Sequence, residues 1–494
     1  MNQYIMAIDQ GTTGTTVLLV DHKGEVAGKG YQEFSQIYPQ PGWVEHDPME
    51  IWHVTMSVAR KALENAHAKS SEIQGIGITN QRETTVIWDR ATLKPIHNAI
   101  VWQCRRTAPL CENLKQRGLA KKFQEKTGLV VDAYFSGTKI AWLLDNIPGA
   151  REKAERGELA FGTIDTWLLS QLTQGKVHAT DFTNASRTLL FNIHEKKWDR
   201  ELSEILNIPE KLFPQVMPSS YIYGKTSPEF FDGCSIPVGG IAGDQQSALY
   251  GQGCWQSGTG KNTYGTGSFL LVNTGDRLAI SGKGLLTTLA CDAKGNPVYA
   301  LEGSIFITGA AIQWLRDGLK IIQNAAETED IANSIPDTKG VYVVPAFAGL
   351  GAPYWDSDAR AAILGLTRGS TRSEIVRATL ESIAYQTRDI VEIMNQESGV
   401  QLTQLKVDGG AVQNNFLMQF QSDILGVSVD RPKIIDVTGM GAAFLAGLST
   451  SFWKSPDEIQ GVRKCERIFT PSLTKEKRDS LYAGWKKAVE RVRL

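Results

Sequence analysis

Two short turns constrain this chain more than any other feature. Residues 4–8 are apolar, end at Asp9 and break into Gly11-Thr12-Thr13-Gly14 before a second apolar run, TVLLV. Past the middle of the chain, KNTY gives way to Gly265-Thr266-Gly267 and then to the apolar SFLLVNTG. A tight Gly/Thr turn between two apolar runs is a hairpin signal. A hairpin that opens each half, with helix and strand signals alternating after it, reads as two α/β domains. The length agrees, since 494 residues exceed what one hydrophobic core organises. The expected domains are 1–253 and 254–494, each presenting its Gly/Thr turn to one cleft.

Local signals fill in the rest. Residues 4–34 read as an antiparallel meander. Asp47 and Pro48 mark the cap and first turn of a helix. IQGIGIT and TTVIWD are strands around the loop NQRE. In GTIDTWLLSQLTQG, Asp165 is the expected N-cap and Gly175 the stop. A long helix spans Ser373 to Glu397, with a capping box from Thr371 and Glu374 and a terminating Gly399. TGMGAAFLAG, residues 438–447, is small throughout and reads as a helix packed close to a neighbour. In the C-terminal segment Leu481, Trp485, Ala488, Val489 and Val492 share one helical face, which docks on the body.

Composition excludes several classes. A net charge of −1 leaves no large nucleic-acid footprint. The six cysteines form no C-x-x-C pair and have no histidines at zinc spacing, as expected in a reducing, cytoplasmic setting. The N-terminus lacks a charged lead and an apolar core of signal-peptide type. No apolar run approaches membrane-spanning length, so no membrane insertion is expected.

The chemistry concentrates in a few places. SGTGKN resembles a Walker loop but has Trp255 where glycine is required and Asn262 where Ser or Thr is required. The turn after Asp9 offers another way to hold phosphate. Backbone N–H groups and the hydroxyls of Thr12 and Thr13 form an anion nest, with Gly11 and Gly14 allowing close approach. Thr266 can do the same from the second half. Without a lysine, charge neutralisation falls to a magnesium ion, which takes one or two carboxylates, water and substrate phosphates. Asp9 is such a carboxylate. Alternatively DQGTTG is only a polar hairpin turn, but its recurrence in both halves favours the phosphate reading. Asp244, between GGIAG and QQSAL, is either a helix N-cap or a general base at a domain junction. Arg82 and Glu83 are either a solvated pair or the donor and acceptor that a polyol needs. Trp102, Tyr134 and Phe269 can wall such a pocket, or simply pack in the core. Gly409 and Gly410 with Asn414 can seat an adenine, or form a strand-to-helix turn.

Together these segments resemble the FGGY carbohydrate kinases of the actin-like ATPase superfamily, in their glycerol-phosphorylating branch. The motifs include IDQGTT, GITNQRETTVIW, NAIVWQCRRT, DAYFSGTK, ATDFTNASRTLLFNI, GIAGDQQSAL, KNTYGTGSFLLVNTG and DGGAVQNNFLMQFQSDILG, and they run nearly end to end. The resemblance implies two actin-like, ribonuclease H-like α/β domains flanking a deep catalytic cleft. It implies ATP, Mg2+ and glycerol as ligands, sn-glycerol 3-phosphate as product, and a homo-oligomer, dimer or tetramer. Carried over residue by residue, Arg82, Glu83, Tyr134, Asp244 and Gln245 bind glycerol, with Trp102 and Phe269 as apolar walls. Asp244 matches the general base, and Asp9 the carboxylate that positions the metal, with Asp244 beside it. Thr12, Thr13, Gly14 and Thr266 match phosphate contacts. Gly309, Gln313, Gly410 and Asn414 match the nucleotide pocket. Many members of the family carry DQGTTSSR at the first turn, so Thr16 stands where they have arginine. The segment GKTSPEFFDGCSIP has neither the phosphorylatable histidine nor the Gly/Arg loop for fructose 1,6-bisphosphate of some members, and neither control is expected. A pentose or other polyol kinase would share the ATP motifs. An actin-like scaffold would share the turns but would not need Arg82, Glu83 and Asp244.

Overall fold

The structure, a computed structural model, describes residues 3–493. The chain forms two compact units. The first runs up to Trp255 and takes in Thr287–Tyr299 and Asp436–Arg463, and the second holds Gln256–Leu286, Ala300–Ile435 and the chain from Lys464 on.

Each unit is built on one mixed sheet flanked by helices. In the first, the strands Tyr4–Gln10, Gly14–Val20 and Val26–Glu33 form the expected antiparallel meander. Ile73–Asn80 lies parallel to Tyr4–Gln10, Pro237–Gly243 lies parallel to Ile73–Asn80, and Ser220–Lys225 closes the edge antiparallel. The second unit repeats the scheme. Thr259–Tyr264 and Ser268–Gly275 pair antiparallel, Gln404–Gly409 and Ser428–Pro432 add on in parallel, and Cys465–Phe469 closes the edge antiparallel. The parallel strands are buried along most of their length, as strands covered on both faces must be.

Helix boundaries follow their caps. Asp47 accepts from the Met49 N–H at 2.8 Å with Pro48 in the first turn. The long helix runs Arg372–Ser398 with the Thr371/Glu374 capping box and a left-handed Gly399. The C-terminal helix Lys475–Val492 buries Tyr482, Trp485, Ala488 and Val489. One cap differs from expectation. Thr163, not Asp165, occupies the N-cap of Ile164–Leu172, and that helix ends before Gly175. Asp165 is buried in the first turn, where it accepts from the hydroxyls of Thr163 and Thr180, and burial lifts its carboxyl to about 6. Two cap-competent residues two positions apart explain the difference, since the sequence does not say which one begins the helix.

The small-residue helix Val437–Ser449 packs against the first unit's sheet. A Cβ on Gly77 would sit 2.1 Å from the Ala442 carbonyl oxygen, and one on Gly441 would sit 1.9 Å from the Ser247 carbonyl oxygen. Glycine on both sides is what allows this approach. Among the described residues no helix is long and apolar enough to cross a membrane.

Candidate active site

The first unit's sheet gathers its polar residues by register. Gln10 is paired with Asn80, and Asn80 with Gly243, so three parallel strands end at the same level. Ligands in open α/β sheets bind beyond such carboxyl ends. Here the Gly11–Gly14 turn, the loop 81–85 and Asp244 all emerge there. Gln81 ties the first two together, its N–H donating to the Gln10 carbonyl at 2.7 Å and its carboxamide to the Gly11 carbonyl at 3.1 Å.

Arg82 and Glu83 are buried, which removes the solvated-pair reading. Arg82 Nε lies 3.1 Å from Asp244 Oδ1, and its Nη1 donates to Gln246 at 3.2 Å. A side chain at Gly243 would come within 2.7 Å of the Arg82 stem, so glycine there admits the arginine. Glu83 adopts a left-handed backbone with φ of 60°, a conformation that costs energy outside glycine and persists only when its surroundings enforce it. They do so here. The Glu83 carbonyl accepts from Thr85 Oγ1 at 3.1 Å, Ser136 Oγ at 3.0 Å and Lys139 Nζ at 3.2 Å. Arg187 Nε donates to Glu83 Oε1 at 2.6 Å.

Tyr134 and Trp102 stand beside this cluster, their rings 5.5 Å apart at 81°. The Arg187 guanidinium lies 5.6 Å from the Tyr134 ring centre, and Lys139 Nζ donates to the Tyr134 carbonyl at 2.5 Å. The Trp102 indole donates to Thr12 Oγ1 at 2.9 Å, joining the aromatic wall to the first Gly/Thr turn. The result is an alternation of fixed donors and acceptors beside an aromatic face, which suits a small molecule bearing several hydroxyls.

Asp244 differs from its neighbours in exposure. Its side chain is 33% exposed, whereas that of Arg82 is 2% exposed. It occupies the first position of the helix Asp244–Gly251, after the cap residue Gly243, so it is not itself the N-cap. Its Oδ1 is taken by Arg82 and by the Gln245 N–H at 2.7 Å, which leaves Oδ2 for a ligand. Gln245 is half-buried beside it.

Asp9 is raised to about 7, chiefly by burial, then by the negative charges of Asp244 and Asp436, with Lys29 opposing. Lys29 and Asp436 form an ion pair at 2.9 Å. Two carboxylates that repel each other beside the Gly/Thr turn are a fit for a divalent cation. Among the described residues no cluster of three or more His, Cys, Asp or Glu stands ready for a metal. Thr16 pairs directly with Asp9 across the hairpin, so their side chains share a face. Thr13 is exposed, Thr12 half-buried and Gly14 buried against Tyr31.

The second unit holds a cavity of about 450 Å3, and Thr266, Gly309, Gln313, Gly410 and Asn414 all line it. Its apolar wall includes Ile312, Leu380 and Leu417. The Gly265–Gly267 turn is stitched to the helix Gly309–Asp317 by the Gly309 N–H donating to the Gly265 carbonyl at 3.0 Å and the Ala310 N–H to that of Thr266 at 3.1 Å. The two glycines after Asp408 differ in purpose. Gly409 has φ of 93° and a Cβ there would strike the Tyr264 carbonyl at 2.2 Å, whereas a Cβ on Gly410 would meet nothing within 4 Å. Gly409 serves the fold and Gly410 keeps the cavity open. Phe269 lies in this unit, half-buried and paired with Thr263.

Arg187 and Lys139 were not singled out in the sequence, though both touch the Glu83 cluster. Lys139 carried a signal, a lone cation in the apolar helix Ser136–Asn146. Burial there lowers its ammonium to about 7.

The chain is similar to known proteins over nearly its whole length. Residues 4–251 match the N-terminal domain of the FGGY family of carbohydrate kinases, and residues 260–450 match its C-terminal domain. The chain is 62% identical to a glycerol kinase of Caldanaerobacter subterraneus subsp. tengcongensis over 492 residues, covering 100% of this chain and 99% of that one. It is 60% identical to glycerol kinase 2 of Thermotoga maritima, covering 99% and 98%. The crystal structure of Plasmodium falciparum glycerol kinase with ADP superposes with a TM-score of 0.95 at 40% identity, covering 100% and 99%. A xylulose kinase from Lactobacillus acidophilus, at 22% identity and a TM-score of 0.88 over 99% of each chain, shares the fold.

Proposed function

The chain belongs to the FGGY family of carbohydrate kinases, and we propose that it transfers the γ-phosphoryl group of ATP to a terminal hydroxyl of glycerol, giving sn-glycerol 3-phosphate and ADP. The observation that carries this reading is the buried Arg82–Glu83–Arg187 cluster with Asp244 at its solvent edge.

Glycerol lies on the Trp102–Tyr134 wall, its hydroxyls donating to Glu83 and accepting from the guanidinium groups. Asp244 Oδ2 takes the proton from the attacking hydroxyl, while Oδ1 stays anchored by Arg82 and Gln245. Anchoring one oxygen aims the other, which is the positional contribution the protein can make to phosphoryl transfer. Asp9 and Asp244 would hold a magnesium ion, which would supply positive charge to the phosphates. In the first unit Thr12, Thr13 and Gly14 offer donors to a phosphate; in the second Thr266 and Gly309 do so, and the apolar cavity there takes the base.

An ADP-release assay over glycerol, dihydroxyacetone, xylulose, ribulose and erythritol tests the substrate. Glycerol should give the highest kcat/KM. A pentulose preferred over glycerol would move the chain to another branch of the family.

Position 16 offers a second test. An arginine at Thr16 would share a strand face with Asp9 and could reach a phosphate oxygen. Thr16→Arg should lower the KM for ATP and leave that for glycerol unchanged. If ATP kinetics do not respond, position 16 does not reach the nucleotide.

A further inference from the structure

We propose that Glu329 reads the substituent at the 6-position of the purine and so sets a preference for adenine over 6-oxopurine nucleotides; this rests on the second unit's cavity being the nucleotide site. Asn414, the residue the sequence offers for base recognition, is already committed to the fold. Its Oδ1 accepts from the Leu417 N–H at 2.9 Å and its Nδ2 donates to Thr328 Oγ1 at 3.0 Å. Gln313 also lines the cavity, but an exposed carboxamide can turn either end to a ligand and discriminates poorly.

Glu329 lines the same cavity, half-buried and fixed. The Asn415 N–H donates to Oε2 at 2.8 Å and Asn415 Nδ2 donates to Oε1 at 2.9 Å. Asn415 is itself held by Arg431 at 3.1 Å and Arg467 at 3.2 Å. The carboxylate is therefore a rigid group that accepts and does not donate, with lone pairs still available on each oxygen.

A carboxylate cannot face a polyphosphate without strong like-charge repulsion. Glu329 therefore belongs to the nucleoside end, with the Thr266 turn at the phosphate end. Its neighbours on the cavity wall, Ala325, Ala326 and Leu417, are apolar and suit a base. A single fixed acceptor beside a purine suits the exocyclic amine of adenine. A 6-oxo group would set two acceptors against each other and leave both unpaired.

The test compares kcat/KM for ATP, ITP and 2′-deoxy-ATP in the unmodified protein and in Glu329→Gln. The unmodified protein should favour ATP over ITP by at least about tenfold. Glu329→Gln, whose amide can turn a donor to the 6-oxo group, should reduce the ATP/ITP ratio about tenfold or more and leave the ATP/2′-deoxy-ATP ratio in place. An unmodified protein that does not distinguish ATP from ITP overturns the assignment, even if the variant does not fold. So does an unchanged ATP/ITP ratio in the variant. A shift confined to 2′-deoxy-ATP would place Glu329 on the ribose and also overturn it. Gly410→Leu separates the two levels, because its side chain enters the cavity without striking protein at Cβ. It should raise the KM for ATP tenfold or more. If it does not, the cavity is not the nucleotide site. If it does and Glu329→Gln leaves the ATP/ITP ratio alone, only the role of Glu329 falls.

Discussion

Asp244→Asn is expected to lower kcat by about 10^2- to 10^4-fold while the KM for glycerol changes little. The asparagine oxygen can still accept from Arg82 and from the Gln245 N–H, as Asp244 Oδ1 does. The position of Oδ2 becomes an amide nitrogen that cannot take a proton. Substrate placement and proton acceptance are thereby separated within one residue. Steady-state kinetics together with calorimetric glycerol binding would check it. A near-normal kcat would remove Asp244 as the base, and a lost glycerol affinity would make it chiefly a binding group.

Arg187→Met carries the largest expected loss of stability. The side chains of Arg187 and Glu83 are 0% and 2% exposed, and their contact is 2.6 Å. Without Arg187 the buried Glu83 carboxylate keeps Arg82 Nε at 3.9 Å but loses its short ion pair, and breaking a buried pair costs about 3–5 kcal/mol. Glycerol affinity should fall as well, by about 10- to 100-fold, as befits a lost hydrogen bond to a charged group. The double variant Arg187→Met/Glu83→Gln distinguishes the two effects. Most of the stability should return, since the carboxylate that lost its short ion pair is then neutral, while the KM for glycerol should stay high. Urea denaturation and glycerol kinetics on the three proteins measure both. Recovery of the glycerol KM in the double variant would mean that Glu83 and Arg187 only support the fold.

The parts of the site legible in the sequence were those with local geometric causes. The two Gly/Thr hairpins announced themselves because a tight turn between apolar strands demands those residues. The four residues expected at the nucleotide pocket line one cavity with Thr266, and all of them but Gln313, which is in the middle of its helix, lie at a strand end or helix start. Buried charge was harder to see. Arg187 and Lys139 look like ordinary cations in sequence, and only the packing around Glu83 shows why they are inside. The helix Val437–Ser449 showed from its glycines and alanines that something lies close to it. That the neighbour is the sheet of the first unit, through Gly77, is a long-range fact that no local pattern holds. Asn414 carries two roles at once. Its residue type suits base recognition and it lines the cavity, yet it also caps the helix start, and the fixed carboxylate beside it, Glu329, has no local sequence signal.

The central claim, glycerol-coupled phosphoryl transfer, is tested most directly by ADP release at saturating ATP and magnesium with and without glycerol. The expected result is stimulation of about 10^2-fold or more by glycerol, with glycerol 3-phosphate and ADP formed one to one. ATP turnover that proceeds at the same rate without any polyol would contradict it and favour a nucleotide-driven scaffold.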